Sequence, residues 1–447
     1  MTARAGPGRR HLLSSAYSLL ANTALTSLLG MAFWVAAARL FASEEVGRDA
    51  VLISVMIELS TICQLNLGNG IVRFMPDLGP GAARALGWAY GVTGGVALTV
   101  GSAFVLLAPA LSHEFAYLAG QATVAGAFVL ALTLWGVFSL QDAALTATRR
   151  ARWVPVENGL YGVLKLAVLP LSLALGVANG VFVAWVAPMA MLVIPTNILL
   201  FRRAIPAYMR RSHGVSAIAR MGRPRVVRFL AQDYLASIFT QATLTALPLI
   251  VIATLGARAS AYFLMPFTIV MAFDTFAYSA CTALVAEAAR DPSGLRVLTR
   301  LFLRRVLTLI VVAAALLALA APLVLAPFGA SYVHHGVTVL RLLLCASALR
   351  VVIALFAAVS RVQGRGVRLA AVELALLALV LGAAGALANP YGIDGVAAAW
   401  LAANAVICIP AGSMVVRFLH GRSRVEVTGP LTARPSPNPR AASPGSG

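Results

Sequence analysis

The chain has 447 residues, of which 60% are apolar and only 11% charged, carries a formal charge of +20, and has a mean hydropathy of +0.88. Soluble globular domains hold roughly 25% charged residues, so this composition excludes one and identifies a membrane protein. The four cysteines, Cys63, Cys281, Cys345 and Cys408, lie in apolar stretches without paired spacing, which excludes a disulfide or zinc framework.

A helix needs about 20 apolar residues to cross roughly 30 Å of hydrocarbon. Twelve such runs follow one another, at approximately 13–38, 48–72, 86–109, 116–140, 158–177, 181–201, 229–255, 260–287, 306–327, 336–360, 369–388 and 394–416. The first follows Arg9 and Arg10, but its apolar stretch is too long for a cleaved secretory signal and more spans come after it, so it is read as a transmembrane helix. The expected organisation is a cytoplasmic amino terminus at 1–12, a lobe of six spans over 13–201, an Arg-rich cytoplasmic linker at 202–228, a second lobe of six spans over 229–416 and a tail at 417–447. The linker holds eight arginines and no acid; the tail is too rich in Pro, Gly and Ser to fold.

Alternating the twelve spans puts 29 of the 35 basic residues on the side of the amino terminus. Only Arg39, Arg48 and Arg258 fall on the opposite side, and Lys165, Arg341 and Arg350 lie within spans. Arginine-rich short loops resist translocation, so both termini are expected in the cytoplasm of a bacterium, with the chain in its cytoplasmic (inner) membrane. The positive charge then serves topology and contact with anionic membrane lipids, and nucleic acid is not an expected partner.

The sixth and twelfth spans share a phrase: GVFVAWVAPMAMLVIP over 180–195 and GVAAAWLAANAVICIP over 395–410 agree at 8 of 16 positions, 215 residues apart. The same offset pairs Leu20 with Leu235, Leu40 with Leu255, Met56 with Met271 and Arg150 with Arg365. Six spans is an even number, so the halves are parallel repeats enclosing a cleft, an arrangement suited to alternating access. Trp185 and Trp400, about 7.5 Å in from the ends of their spans, are expected to hold their indoles near the membrane interface.

The segment LLANTALTSLLGMAFWVAAARLFASEEVGRDAVLISV, followed by LNLGNGIVRFMPDLG, resembles the polysaccharide (Wzx-type) flippases of the multidrug/oligosaccharidyl-lipid/polysaccharide (MOP) exporter superfamily. The shared elements are a first helix rich in small residues, a short turn of the form L-F-x(5)-G-R-D-A and a Gly-x-x-Arg-Phe exit, and the resemblance extends over the twelve spans. It implies an all-α integral membrane fold of two parallel six-helix bundles in a V, and a polyprenyl-pyrophosphate-linked glycan as cargo, turned from inner to outer leaflet with coupling to a proton or sodium ion. Related branches carry drugs or the peptidoglycan lipid precursor. A monomer contacting glycan assembly enzymes is the expected state.

Charges inside hydrocarbon cost about 2.5–3.5 kcal/mol each on insertion scales, so each one retained there is a functional candidate. Glu58 and Asp274 lie mid-span and fall one residue out of register under the 215 offset, which makes them candidates for ion coupling, with Asp233 a further one nearer the basic side. Glu373 also lies on that side, within reach of Arg368. Among the cations, Arg350 offers a planar fork for phosphate oxygens and Lys165 a point charge, and Arg73 stands at the inner mouth of the second span. Asn22 and Asn66 add uncharged hydrogen-bonding groups suited to sugars. The one lysine of the chain follows Leu164, so there is no Gly-Lys-Ser/Thr phosphate loop, and no cofactor is expected. Two alternatives stand beside the flippase: a drug or organic-cation antiporter of the same architecture, and a polyprenyl-dependent membrane glycosyltransferase.

Overall fold

A computed structural model of the chain describes residues 25–75, 78, 81–148, 150, 152–210, 223–290, 299–300, 303–363 and 365–420. Asn22, residues 211–222 of the expected linker and the tail after 420 lie outside the described residues, as do the side chains of Arg73 and Asp233.

Among the described residues all regular structure is helical, and twelve long segments account for most of it. The first lobe comprises α1 (Leu25–Leu40), α2 (Ser43–Cys63), α3 (Ala82–Leu111), α4 (Ala122–Ala147), α5 (Trp153–Ala174) and α6 (Gly180–Leu199). The second comprises α7 and α8, the parts of Arg223–Arg290 on either side of Gly256, then α9 (Thr308–Leu319), α10 (Ala330–Val362), and α11 and α12, the parts of Gly366–Leu419 on either side of Gly392. Gly256 (φ 82°) and Gly392 (φ 60°) hold the left-handed backbone that lets an otherwise continuous helix fold back as two passes. Large apolar side chains such as Leu106, Leu309, Leu316 and Ile194 are exposed along these helices, as hydrocarbon rather than water demands.

The repeat register holds in the helix boundaries. α4 ends at Ala147 and α10 at Val362, again 215 apart, and the Gly256 bend falls 215 residues after Phe41 in the α1–α2 turn. The shared glycines sit where no Cβ fits: one on Gly180 would lie 2.9 Å from the Phe41 ring, and one on Gly395 would lie 2.2 Å from the Leu387 carbonyl oxygen. The shared tryptophans are not interface anchors. Trp185 and Trp400 are buried, with 8% and 1% of their surface exposed, because each packs into the interior of its own lobe.

One end of the molecule carries the α1–α2, α5–α6, α7–α8 and α11–α12 turns and is called the turn end; the other carries the arginine-rich connections and is called the basic end. At the turn end the lobes touch. A Cβ on Gly47 of α2 would lie 1.8 Å from the Ala257 carbonyl oxygen of α8, so only glycine permits this approach. Around that seam Arg39 donates from Nε to the Pro327 carbonyl at 2.6 Å and from Nη2 to the Ala326 carbonyl at 3.0 Å, and Arg258 pairs with Glu44 at 2.6 Å. Asp49, in the same region, accepts from the Val181 and Phe182 amides at 3.1 and 3.0 Å and so caps the start of α6, whose first N–H groups have no partner within their own helix.

Toward the basic end the second span is not continuous. Leu65 (φ 50°) and Asn66 (φ 59°) break it, and the chain resumes as Leu67–Phe74. The Asn66 side-chain oxygen accepts from Asn69 at 2.7 Å across this break. A small separate core, including Leu86, Leu140, Leu145 and Ile205, seals the basic end of the first lobe.

Candidate functional site

A cavity of about 450 Å³ lies between α1, α4, α5 and α6 of the first lobe and α8 of the second. Three helices line it with the same spacing, Trp135, Phe138, Ser139 and Asp142 on α4, Asn158, Tyr161, Gly162 and Lys165 on α5, and Thr268, Met271, Ala272 and Thr275 on α8; α1 repeats that spacing at Ser27, Gly30, Met31 and Trp34 and adds Thr26 and Leu29, and α6 contributes Trp185. Steps of three, four and seven residues mark one face of an α-helix, so each helix turns one stripe toward the space.

Lys165 is buried on this wall, and its ammonium rests on aromatic faces, 3.9 Å from the Trp185 ring centroid, 5.1 Å from Phe33 and 5.2 Å from Tyr161. Among the described residues no carboxylate stands within salt-bridge distance of it. Ring quadrupoles attract a desolvated cation by about 2 kcal/mol, which offsets only part of the loss of water around an ammonium. Among the described residues Lys165 thus has no carboxylate partner, and an anion entering the cavity would favour the charged form of its amine.

Asp142 stands on the same cavity two helical turns toward the basic end. Its Oδ2 accepts from Asn158 Nδ2 at 3.1 Å, whereas Oδ1 is buried without a hydrogen-bond partner. Behind it lies a second polar layer: Gln141 donates to Glu157, Asn197 donates to Gln141 at 2.8 Å, and Tyr90 donates to Asn197 at 2.8 Å. These bonds join α3, α4, α5 and α6 and fix the rotation of α4 and α5 that presents Asp142 and Asn158.

The second lobe also sets a cation on its repeat tryptophan. The Arg350 guanidinium lies 4.8 Å from the Trp400 ring centroid, but its Nε is ion-paired with Asp274 at 3.0 Å. Arg350 of α10 is the 215-offset equivalent of Trp135 on α4, so the two lobes reach the same cation-on-tryptophan contact from different helices. Glu373 is buried near Arg350 and Arg361, and the Thr240 hydroxyl donates to the Ala236 carbonyl at 3.1 Å.

Of the residues singled out in the sequence, Lys165 lines the cavity, and Arg350 and Asp274 meet in one ion pair rather than acting apart. Glu58 accepts from Gln241 of α7, a bond between the lobes beside the one from Tyr234 Oη to the Ile62 carbonyl at 2.7 Å. Arg341 donates to the Ala318 carbonyl at 3.1 Å. Asp142, Asn158 and the ring wall of Trp34, Trp135, Phe138 and Tyr161 were not singled out. The apolar runs at 116–140 and 158–177 stop just short of Asp142 and Glu157, whereas α4 continues to Ala147 and α5 begins at Trp153. The common spacing on four helices was the signal that could have found them.

No family model and no curated protein matches the sequence. Among solved structures the chain is similar to an inward-facing multidrug resistance MATE family transporter of the MOP superfamily, with a TM-score of 0.70 at 14% identity over 89% of this chain and 96% of that one. It is also similar to an outward-facing MATE family transporter (TM-score 0.62, 16% identity, 94% and 97% covered) and to the lipid II flippase MurJ in an inward closed conformation (TM-score 0.64, 11% identity, 90% and 87% covered). With its paired six-helix lobes, the chain is a multi-pass membrane protein with the fold of MOP superfamily transporters.

Proposed function

We propose that this chain flips a polyprenyl-pyrophosphate-linked oligosaccharide from the inner to the outer leaflet of a bacterial cytoplasmic membrane, by alternating access and without covalent chemistry. The observation that carries this reading is Lys165: a buried ammonium with no carboxylate partner among the described residues, on the wall of an interlobe cavity lined by aromatic rings. The ammonium suits a pyrophosphate, and flat rings suit the apolar faces of sugars. The closed turn end, sealed at Gly47, Arg39 and Arg258, supports an inward-facing state in which cargo arrives from the basic, cytoplasmic side.

An organic-cation antiporter would also use aromatic faces and a carboxylate. Here the best cation position, over Trp185, is filled by the protein's own ammonium, which favours an anionic cargo. Coupling to a proton or sodium ion falls on Glu58, whose partner is the uncharged Gln241 at the junction of the lobes; Asp274 serves as counter-ion to Arg350. Glu58→Gln is expected to leave exchange down the cargo gradient and to abolish its acceleration by an imposed ion gradient; undiminished acceleration would remove Glu58 from the role.

Lys165 is the only lysine, so amine chemistry reads the site directly. In the purified protein, a short-chain polyprenyl-pyrophosphate sugar at about nine times its Kd is expected to slow modification of Lys165 by a small amine-reactive reagent, measured by peptide mapping, about tenfold, because an occupied site is protected in proportion to the ligand bound. Equal modification with and without that lipid would refute the reading.

A further inference from the structure

Lys165 and Asp142 line one cavity yet do not pair with each other. Asn158, which holds Asp142, precedes Lys165 by seven residues on α5, about 10 Å of helix rise. The space between them is walled by Trp135, Phe138 and Tyr161. Asp142 borders this space with an acceptor left over: Oδ2 is occupied by Asn158, and Oδ1 is buried with no donor and is closed to the cavity until the carboxylate turns. A carboxylate offers acceptors only, and leaving one unpaired in a desolvated site is costly, so a ligand that brings an O–H or N–H to Oδ1 recovers what the empty site forgoes.

We infer that Asp142 is the specificity-determining residue for the sugar adjoining the pyrophosphate: it accepts from that sugar's donor groups while Lys165 holds the pyrophosphate, and the rings between them stack on the sugar's apolar face. This rests on the flippase reading above and adds to it a direction and a substrate class. The headgroup lies along α5 with its phosphates at mid-span and its first sugar toward the basic end. The cargo is a diphosphate-linked saccharide with a free donor on that first sugar, rather than any anionic lipid of similar size. Asn158 is a positioning residue, since its Nδ2 donates to Asp142 Oδ2 and so fixes the carboxylate plane. The same logic explains why a polar layer as extensive as Tyr90, Asn197, Gln141 and Glu157 is built behind the site: it sets the rotation of the two helices on which Asp142 and Lys165 sit.

The test uses the full chain in detergent and two water-soluble probes with the same short prenyl chain, one a bare pyrophosphate and the other a pyrophosphate-linked N-acetylhexosamine. Wild type is expected to bind the sugar probe about tenfold or more tightly than the bare one, the factor expected for a charge-assisted hydrogen bond. In Asp142→Asn that preference is expected to fall below about twofold, and in Asn158→Ala to fall part of the way. Lys165→Met is expected to weaken both probes together. If Asp142→Asn keeps the preference, or weakens both probes by the same factor, the assignment of Asp142 is overturned while the flippase reading stands. If wild type binds neither probe, both fall. Asn158→Ala guards against an Asp142→Asn protein that does not fold, because its carboxylate remains and only its orientation is freed; an unchanged preference there also counts against the assignment.

Discussion

At the scale of single residues, the two lobes treat their interior cations differently. Arg350 is paired with Asp274, and among the described residues Lys165 rests on rings without an ion-pair partner. Removing one member of a buried pair strands the other charge, so Asp274→Asn is expected to destabilise the protein by about 3 kcal/mol, whereas replacing both members with apolar residues of similar size is expected to cost far less. Thermal unfolding of the three proteins in one detergent checks this; an Asp274→Asn protein as stable as wild type would show that the pair is not a structural unit. The sequence made the charges visible, because each interrupts an apolar run, but not their partners. Arg350 and Asp274 are 76 positions apart, and nothing along the chain says that α8 turns Asp274 toward α10 while its neighbours Met271, Ala272 and Thr275 face the opposite lobe. Asp142 escaped for a different reason: it lies at the end of a helix longer than its apolar run, where a carboxylate reads as a loop residue.

Among the elements, α2 joins the two lobes. It touches α8 at Gly47, bonds to α7 through Glu58 and Ile62, and reaches α6 through Asp49. A valine at position 47 has no space for its Cβ against the Ala257 carbonyl, so Gly47→Val is expected to hold the turn end apart. Spin labels on the α1–α2 turn and at Arg258 would then report longer distances than in the wild-type sequence, and an unchanged distribution would mean that the seam yields elsewhere. The helix count was legible because a span is a length of apolar sequence, and the bends at Gly256 and Gly392 fell between runs already separated by their polar neighbours. The break at Leu65 and Asn66 was not legible, since a left-handed leucine contradicts its own preference and is imposed by the surrounding packing.

For the whole molecule, duplication explains the architecture and departure from it explains the site. The glycines of the repeated phrase are retained because both lobes need close contact there, and both tryptophans carry a cation. What differs is the donor of that cation and whether an acid accompanies it, so the first lobe alone keeps an unpaired charge facing the cavity among the described residues. With the lobes in contact at the turn end, the proposed flippase reading has its cargo enter from the basic end. The most direct test is transbilayer movement in reconstituted vesicles, using a fluorescent polyprenyl-pyrophosphate sugar and a reagent that reads only the exposed leaflet. Translocation is expected with the wild-type chain and is expected to fall at least about tenfold in Lys165→Met, a loss of roughly 1.4 kcal/mol or more. No movement above protein-free vesicles, or movement of an organic cation in place of the lipid with Lys165→Met unimpaired, would contradict it.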